Sequence, residues 1–95
     1  MARKVVWSPE AEQNFEDILS YWKDRNKSNN FGKKLKIEVI ATTKFAAQNP
    51  MAGKPTSLNK FRSIKVNNYR IVYAFEENIL VVVSIQDLRQ EELKP

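Results

Sequence analysis

The sequence predicts an α+β fold: an N-terminal strand, an αα-hairpin packed on a mostly antiparallel sheet, and a three-stranded meander at the end. Three observations predict it. Apolar residues recur at helical spacing twice in the first half of the chain, over residues 11–22 and again over 31–46. In the second half they alternate, along 61–75 and 79–85, as strands with one face buried require. The two runs of the first hairpin meet at Asn67-Asn68, and asparagine tolerates the positive φ of a tight turn. Helices first and strands afterwards is the segregated order of α+β domains.

Lys4-Val5-Val6-Trp7 is a short β-prone run that stops at Ser8-Pro9. Serine then proline starts a helix: Ser8 caps it, and Pro9 occupies the first position, where no amide donor is missed. Glu10 and Glu12 face the positive end of the helix dipole, while Ala11 stands where a strict capping box would place glutamate. Ala11, Phe15, Ile18, Leu19 and Trp22 form one face of a helix from about Pro9 to Arg25, with Glu16, Asp17, Lys23 and Asp24 mostly off it. The polar stretch from Asn26 to Asn30 breaks the chain. A second helix follows from about Asn29 to Gln48, on the stripe Phe31, Leu35, Val39, Thr42 or Thr43, and Ala46, widened by Ile40. Lys33, Lys34, Lys36 and Lys44 decorate its other side, and Asn49-Pro50 ends it, because a residue before proline resists helical angles.

Pro50 to Ser57 reads as a loop from which Lys54 can reach the hairpin. Strands are predicted at about Lys60–Val66, Tyr69–Glu76 and Ile79–Ile85, with Glu76-Glu77-Asn78 as a turn. A two-residue turn at Asn67-Asn68 pairs Val66 with Tyr69, Lys65 with Arg70, Ile64 with Ile71, Ser63 with Val72 and Arg62 with Tyr73. Ile64, Val66, Tyr69, Ile71 and Tyr73 then share a core face, and both tyrosines read as core aromatics. Phe61, Ser63, Lys65, Arg70, Val72 and Ala74 share the open one. Lys65 directly opposite Arg70 opposes folding by a few tenths to ~1 kcal/mol, which marks the pair as a place for an anion. Pairing Phe75 with Ile79 places Ser84 beside Arg70. The open face then has a polar end (Ser63, Lys65, Arg70, Ser84) and an apolar end (Val72, Ala74, Leu80, Val82). Either a protein partner or the tail from Asp87 to Pro95 covers the apolar end.

The 95 residues are expected to form one domain, 1–95, with a net charge of +5. The charge is segregated: Lys33, Lys34, Lys36, Lys44, Lys54, Lys60, Arg62, Lys65 and Arg70 fall in a span whose one acid is Glu38. Such a distribution suits a polyanion or an acidic protein. With no cysteine and no histidine, zinc, haem and iron–sulfur ligation lose their usual donors, and Ser–His–Asp or Cys–His catalysis is impossible. No cofactor is expected, and acid–base chemistry would fall to Lys, Tyr, Glu or Asp. The longest apolar run, Ile79 to Val83, is far below the ~18 residues that span a membrane, so a soluble, cytoplasmic protein is expected. Gly32 and Gly53 are isolated, and no glycine-rich phosphate loop is present.

Several motifs resemble the RelE/ParE superfamily of type II toxin–antitoxin toxins. They are Trp7-Ser8-Pro9-Glu10-Ala11 with Ile18 and Tyr21, then Asn49-Pro50 with Gly53, then Ile64 through Tyr73 with its Tyr-Arg-Ile-Val-Tyr core, and finally Ile79 through Ile85 with Arg89. The resemblance spans nearly the whole chain and implies a cognate antitoxin as partner. It implies one of two targets: ribosome-bound messenger RNA, cut by a Lys/Arg cluster, or DNA gyrase, poisoned without RNA cleavage. In the ribonuclease branch Lys65, Arg70 and Arg89 are the matching catalytic cations, and Lys54, Lys60, Arg62, Ser63 and Ser84 are the expected contacts to nucleic acid or target. The sequence departs from that branch. Ser63 stands where a second lysine is expected, and no tyrosine or histidine follows Tyr73. The long helical hairpin and the Ser-Pro-Glu-Ala opening look more like the gyrase-poison branch, although Gln86 or Asp87 replaces the histidine often found after the last strand. A third reading is a member of the family that binds its partner without toxicity.

Overall fold

The computed structural model describes residues 3–26, 30–57 and 60–88. Its elements are β1 (Lys4–Trp7), α1 (Pro9–Asn26), α2 (Asn30–Gln48), β2 (Lys54–Pro55), β3 (Arg62–Val66), β4 (Tyr69–Phe75) and β5 (Ile79–Asp87). The strands form one sheet in the order β1-β5-β4-β3-β2, with β1 parallel to β5 and the other pairs antiparallel. No helix among the described residues is long and apolar enough to cross a membrane.

The capping prediction at Ser8 holds in detail. Its Oγ accepts the Ala11 amide at 3.0 Å and donates to the Val83 carbonyl at 2.8 Å, so one hydroxyl both caps α1 and ties its start to β5. Ala11 is fully buried beneath it. At the other end of α1, the Trp22 indole N–H donates to the Tyr69 hydroxyl. Both helices lie on the sheet face that carries Tyr69, Ile71, Tyr73, Leu80 and Val82, and Leu35, Val39, Ala46 and Ala47 of α2 complete the core. Phe31 and Ile40, read from the sequence as part of the buried stripe, stay 37% and 38% exposed; Phe31 rests on the Trp22 ring with centroids 4.5 Å apart.

The hairpin pairs in the predicted register throughout, from Val66↔Tyr69 to Arg62↔Tyr73. Asn67 is the one non-glycine residue with positive φ (55°) among the described residues, and its side-chain amide reaches Glu38 of α2. The next pairing departs from expectation. Phe75 pairs with Leu80 rather than Ile79, and a bulge between Val72 and Tyr73 shifts the rest by one more residue. Val72 therefore faces Ser84, Arg70 faces Gln86 and Tyr69 faces Asp87. The extra residue is Val83, whose carbonyl receives the Ser8 hydroxyl. The one-residue shift exchanges the faces of β5 between the turn and the bulge: Leu80 and Val82, predicted on the open face, are buried in the core, and Ile79 and Val81 take the open side, whereas beyond the bulge Ser84 and Ile85 keep their predicted faces.

The predicted loop after α2 also carries more structure than expected. Pro50–Ala52 is a 3₁₀ turn, joined through Gly53 to the two-residue β2. Its anchor is the Tyr73 hydroxyl, which accepts the Gly53 amide at 2.9 Å and donates to the Pro50 carbonyl at 2.8 Å. A Cβ on Gly53 would land on that hydroxyl and within 2.8 Å of the Ser63 carbonyl oxygen, so close approach demands glycine here.

Candidate target-binding face

The sheet face away from the helices is built by alternation. Lys65 and Arg70 stand opposite each other on β3 and β4, and Gln86 of β5 continues their row. The neighbouring row runs Lys54, Ser63, Val72, Ser84 across four strands. The Tyr73 anchor also shapes this face: by pinning Gly53 it brings Lys54 into the sheet, about 8 Å diagonally from Lys65 at standard strand spacing. Lys54 and Lys65 are exposed, whereas Arg70 is half-buried and Ser84 buried.

Beyond these rows the face becomes apolar. Val72 and Ala74 of β4 lead to Val81 and Ile79 of β5, and to Val6 of β1, which pairs with Val81 and is 37% exposed. A hollow beside this end is lined by Lys60, Ala74, Phe75, Glu76, Ile79 and Val81. The surface is therefore one cationic end joined to a mainly apolar end, which Lys4, paired with Ile79, and Lys60 border, on a sheet face that neither helix covers.

The structure brings together only part of the expected set. Lys54, Ser63, Lys65 and Arg70 share the cationic end. Ser84 does not sit beside Arg70, as the sequence reading had it; the Val83 bulge moves it into the row of Ser63, and Gln86 takes its place. Lys60 lies at the apolar end. Arg62, across from Tyr73, belongs to the helix side of the sheet, where its Nη1 donates to the Gly53 carbonyl at 2.7 Å and holds the loop. Arg89 and the tail beyond it lie outside the described residues. Gln86 is the neighbour that sequence reasoning did not place in this site; its signal was hidden because β5 is apolar on both faces and betrays no bulge.

The chemistry this arrangement offers is recognition of negative charge. A guanidinium presents a planar fork to a carboxylate or phosphate, and an ammonium adds a point charge. Ser63 and Gln86 contribute short-range hydrogen bonds. Asp87 pairs with Tyr69 in the ladder, one residue beyond the Arg70–Gln86 pair.

The model of a family described as "ParE toxin of type II toxin-antitoxin system, parDE" matches residues 5–91. No curated protein matches the chain by sequence. Among solved structures, a chain of the chromosomal ParDE toxin–antitoxin system from P. aeruginosa is similar with a TM-score of 0.78 at 13% identity, covering 92% of this chain and 97% of that one. A chain of the RelBE2 toxin–antitoxin complex from Mycobacterium tuberculosis is similar with a TM-score of 0.63 at 14% identity, covering 92% and 99%. At these identities the likeness to the two structures concerns the fold.

Proposed function

The chain belongs to the ParE toxin family of type II toxin–antitoxin systems, and from that premise we propose that it arrests growth by binding DNA gyrase through the sheet face away from the helices and is neutralised by a cognate antitoxin. The observation that carries the reading is the two-part character of that face. An apolar patch of Val6, Ala74, Ile79 and Val81 runs directly into a cationic end of Lys54, Lys65 and Arg70. Exposed apolar surface beside segregated charge suits docking on a protein, where the apolar part supplies affinity and the charge supplies encounter rate and register.

Messenger RNA cleavage asks for more. The 2′-hydroxyl must be activated and the leaving oxygen's charge stabilised. Lys65 and Arg70 suit charge stabilisation, but Ser63 and Gln86 beside them are poor bases, and the chain has no histidine. Antitoxin neutralisation is carried over from the solved relatives, both of which belong to toxin–antitoxin systems.

Induced expression with parallel readouts tests the proposal. Growth arrest with broken or relaxed plasmid DNA and intact messenger RNA is the expected result. RNA ends at codon boundaries would select the ribonuclease reading instead, and normal growth would leave a family member that binds without toxicity.

A further inference from the structure

The cationic end of the sheet face differs from its apolar neighbour in more than charge. Its two rows, Lys65–Arg70–Gln86 and Lys54–Ser63–Val72–Ser84, contain no carboxylate and no aromatic side chain. The hairpin tyrosines, Tyr69 and Tyr73, are buried on the helix side, and the exposed rings of Tyr21, Phe31 and Phe45 belong to the helices. Such a surface lacks the aromatic anchors on which tight protein docking centres. It equally lacks a platform for unstacked bases, so it does not suit a single strand. What it offers is Lys54, Lys65 and Arg70 set among neutral hydrogen-bonding groups, Ser63 and Gln86, the side-chain types that meet duplex DNA at its phosphates. The dimensions agree. From Lys54 to Ser84 one row crosses four strands, about 14 Å at standard spacing, and the other row lies about 7 Å further along the strands. At about 3.4 Å of rise per phosphate, that length meets about four phosphates of one DNA strand. Both lysines stand on fixed backbone, Lys54 through the Tyr73–Gly53 bond and Lys65 through the hairpin register.

We infer that this end contacts the sugar–phosphate backbone of duplex DNA, without regard to base sequence, while the apolar end of the same face contacts protein. The inference rests on the gyrase reading above and deepens it: gyrase works on duplex DNA, and a toxin seated where enzyme and duplex meet touches both. Lys54 and Lys65 supply point charges, Arg70 supplies a planar fork, and Ser63 and Gln86 hydrogen-bond to phosphate oxygens. No helix stands on this face to enter a groove and read base edges. Affinity for the duplex alone is weak, because only about three cations release counterions. The apolar contact with the enzyme supplies the rest.

The test measures binding of the full chain to a labelled duplex, and to its separated strands, by fluorescence anisotropy. The duplex should bind more tightly than either strand, and to a similar degree for unrelated sequences. Its log–log salt slope should be about −2.7, which is ~40-fold weaker binding at ~200 mM than at ~50 mM salt. Lys54→Gln and Lys65→Gln should each reduce the slope by about one without lowering the melting temperature. Lys33→Gln, on α2 and outside both rows, should leave the slope unchanged. Gyrase binding is followed in parallel, with and without the duplex. The two sheet variants are expected to lose the gain in affinity that the duplex confers and to keep the affinity for gyrase alone. Tighter binding to single strands, or a slope that Lys33→Gln lowers as much as Lys65→Gln does, overturns the inference. Gyrase binding with no contribution from the duplex also overturns it and leaves the gyrase reading standing. Duplex binding through Lys54 and Lys65 in a chain that ignores gyrase upholds the DNA contact and overturns the gyrase reading. Binding to neither overturns both.

Discussion

Replacing Tyr73 by phenylalanine removes a single oxygen from the centre of the fold. That oxygen accepts from Gly53 and donates to Pro50, twenty or more residues away in the chain. Gly53 is buried, so its amide loses its partner without access to water, a loss of about 1–3 kcal/mol. Pro50 is only half-buried, and water can replace part of its lost bond. The phenyl ring still fills the site, so no cavity term of note is added. The sum is about 2 kcal/mol, which for a domain of this size lowers the melting temperature by ~8–16 °C. Circular dichroism melts of wild type and variant measure it, with urea unfolding to confirm an unchanged m-value. The loss should appear first as faster exchange of the Gly53 amide, because β2 is held to β3 by only two residue pairs. A melting temperature within ~2 °C of wild type would refute the claim that this hydroxyl organises the loop.

Gly53→Ala tests the same junction from the other side: the added methyl meets the Tyr73 hydroxyl and the Ser63 carbonyl, and a destabilisation of about 1–3 kcal/mol is expected in the same melts. Ser8→Ala removes the α1 cap and its tie to Val83, for about 1–2 kcal/mol, read by urea titration. Lys65→Thr relieves the cross-strand opposition to Arg70, so at low salt it should stabilise the protein by a few tenths to ~1 kcal/mol while toxicity on induction falls. A variant that is both less stable and fully toxic would contradict the placement of Lys65 at an anion-binding face.

Much of this molecule is legible in the chain because the determinants are local. Ser8-Pro9 sets a helix start through groups within four residues of one another, and the hydrophobic stripes of α1 and α2 follow from helical periodicity. The hairpin register is local as well: once Asn67-Asn68 is a two-residue turn, every pair back to Arg62↔Tyr73 is determined, including the Lys65/Arg70 opposition of the candidate face.

What tertiary structure decided begins where no local rule applies. The turn between β4 and β5 admits more than one length, and β5 is apolar on both faces, so alternation could not tell which side was core. Pairing Phe75 with Leu80 settled the matter, and the Val83 bulge, tied to a hydroxyl from the start of α1, then placed Gln86 rather than Ser84 beside Arg70. Arg62 was drawn to the loop and Lys54 into the sheet by a tyrosine hydroxyl that no sequence pattern marks as anything but core. The sequence alone determined that two cations face each other on a hairpin. Which neighbours complete their surface depended on contacts between distant segments, whose geometry exists only once the chain has folded.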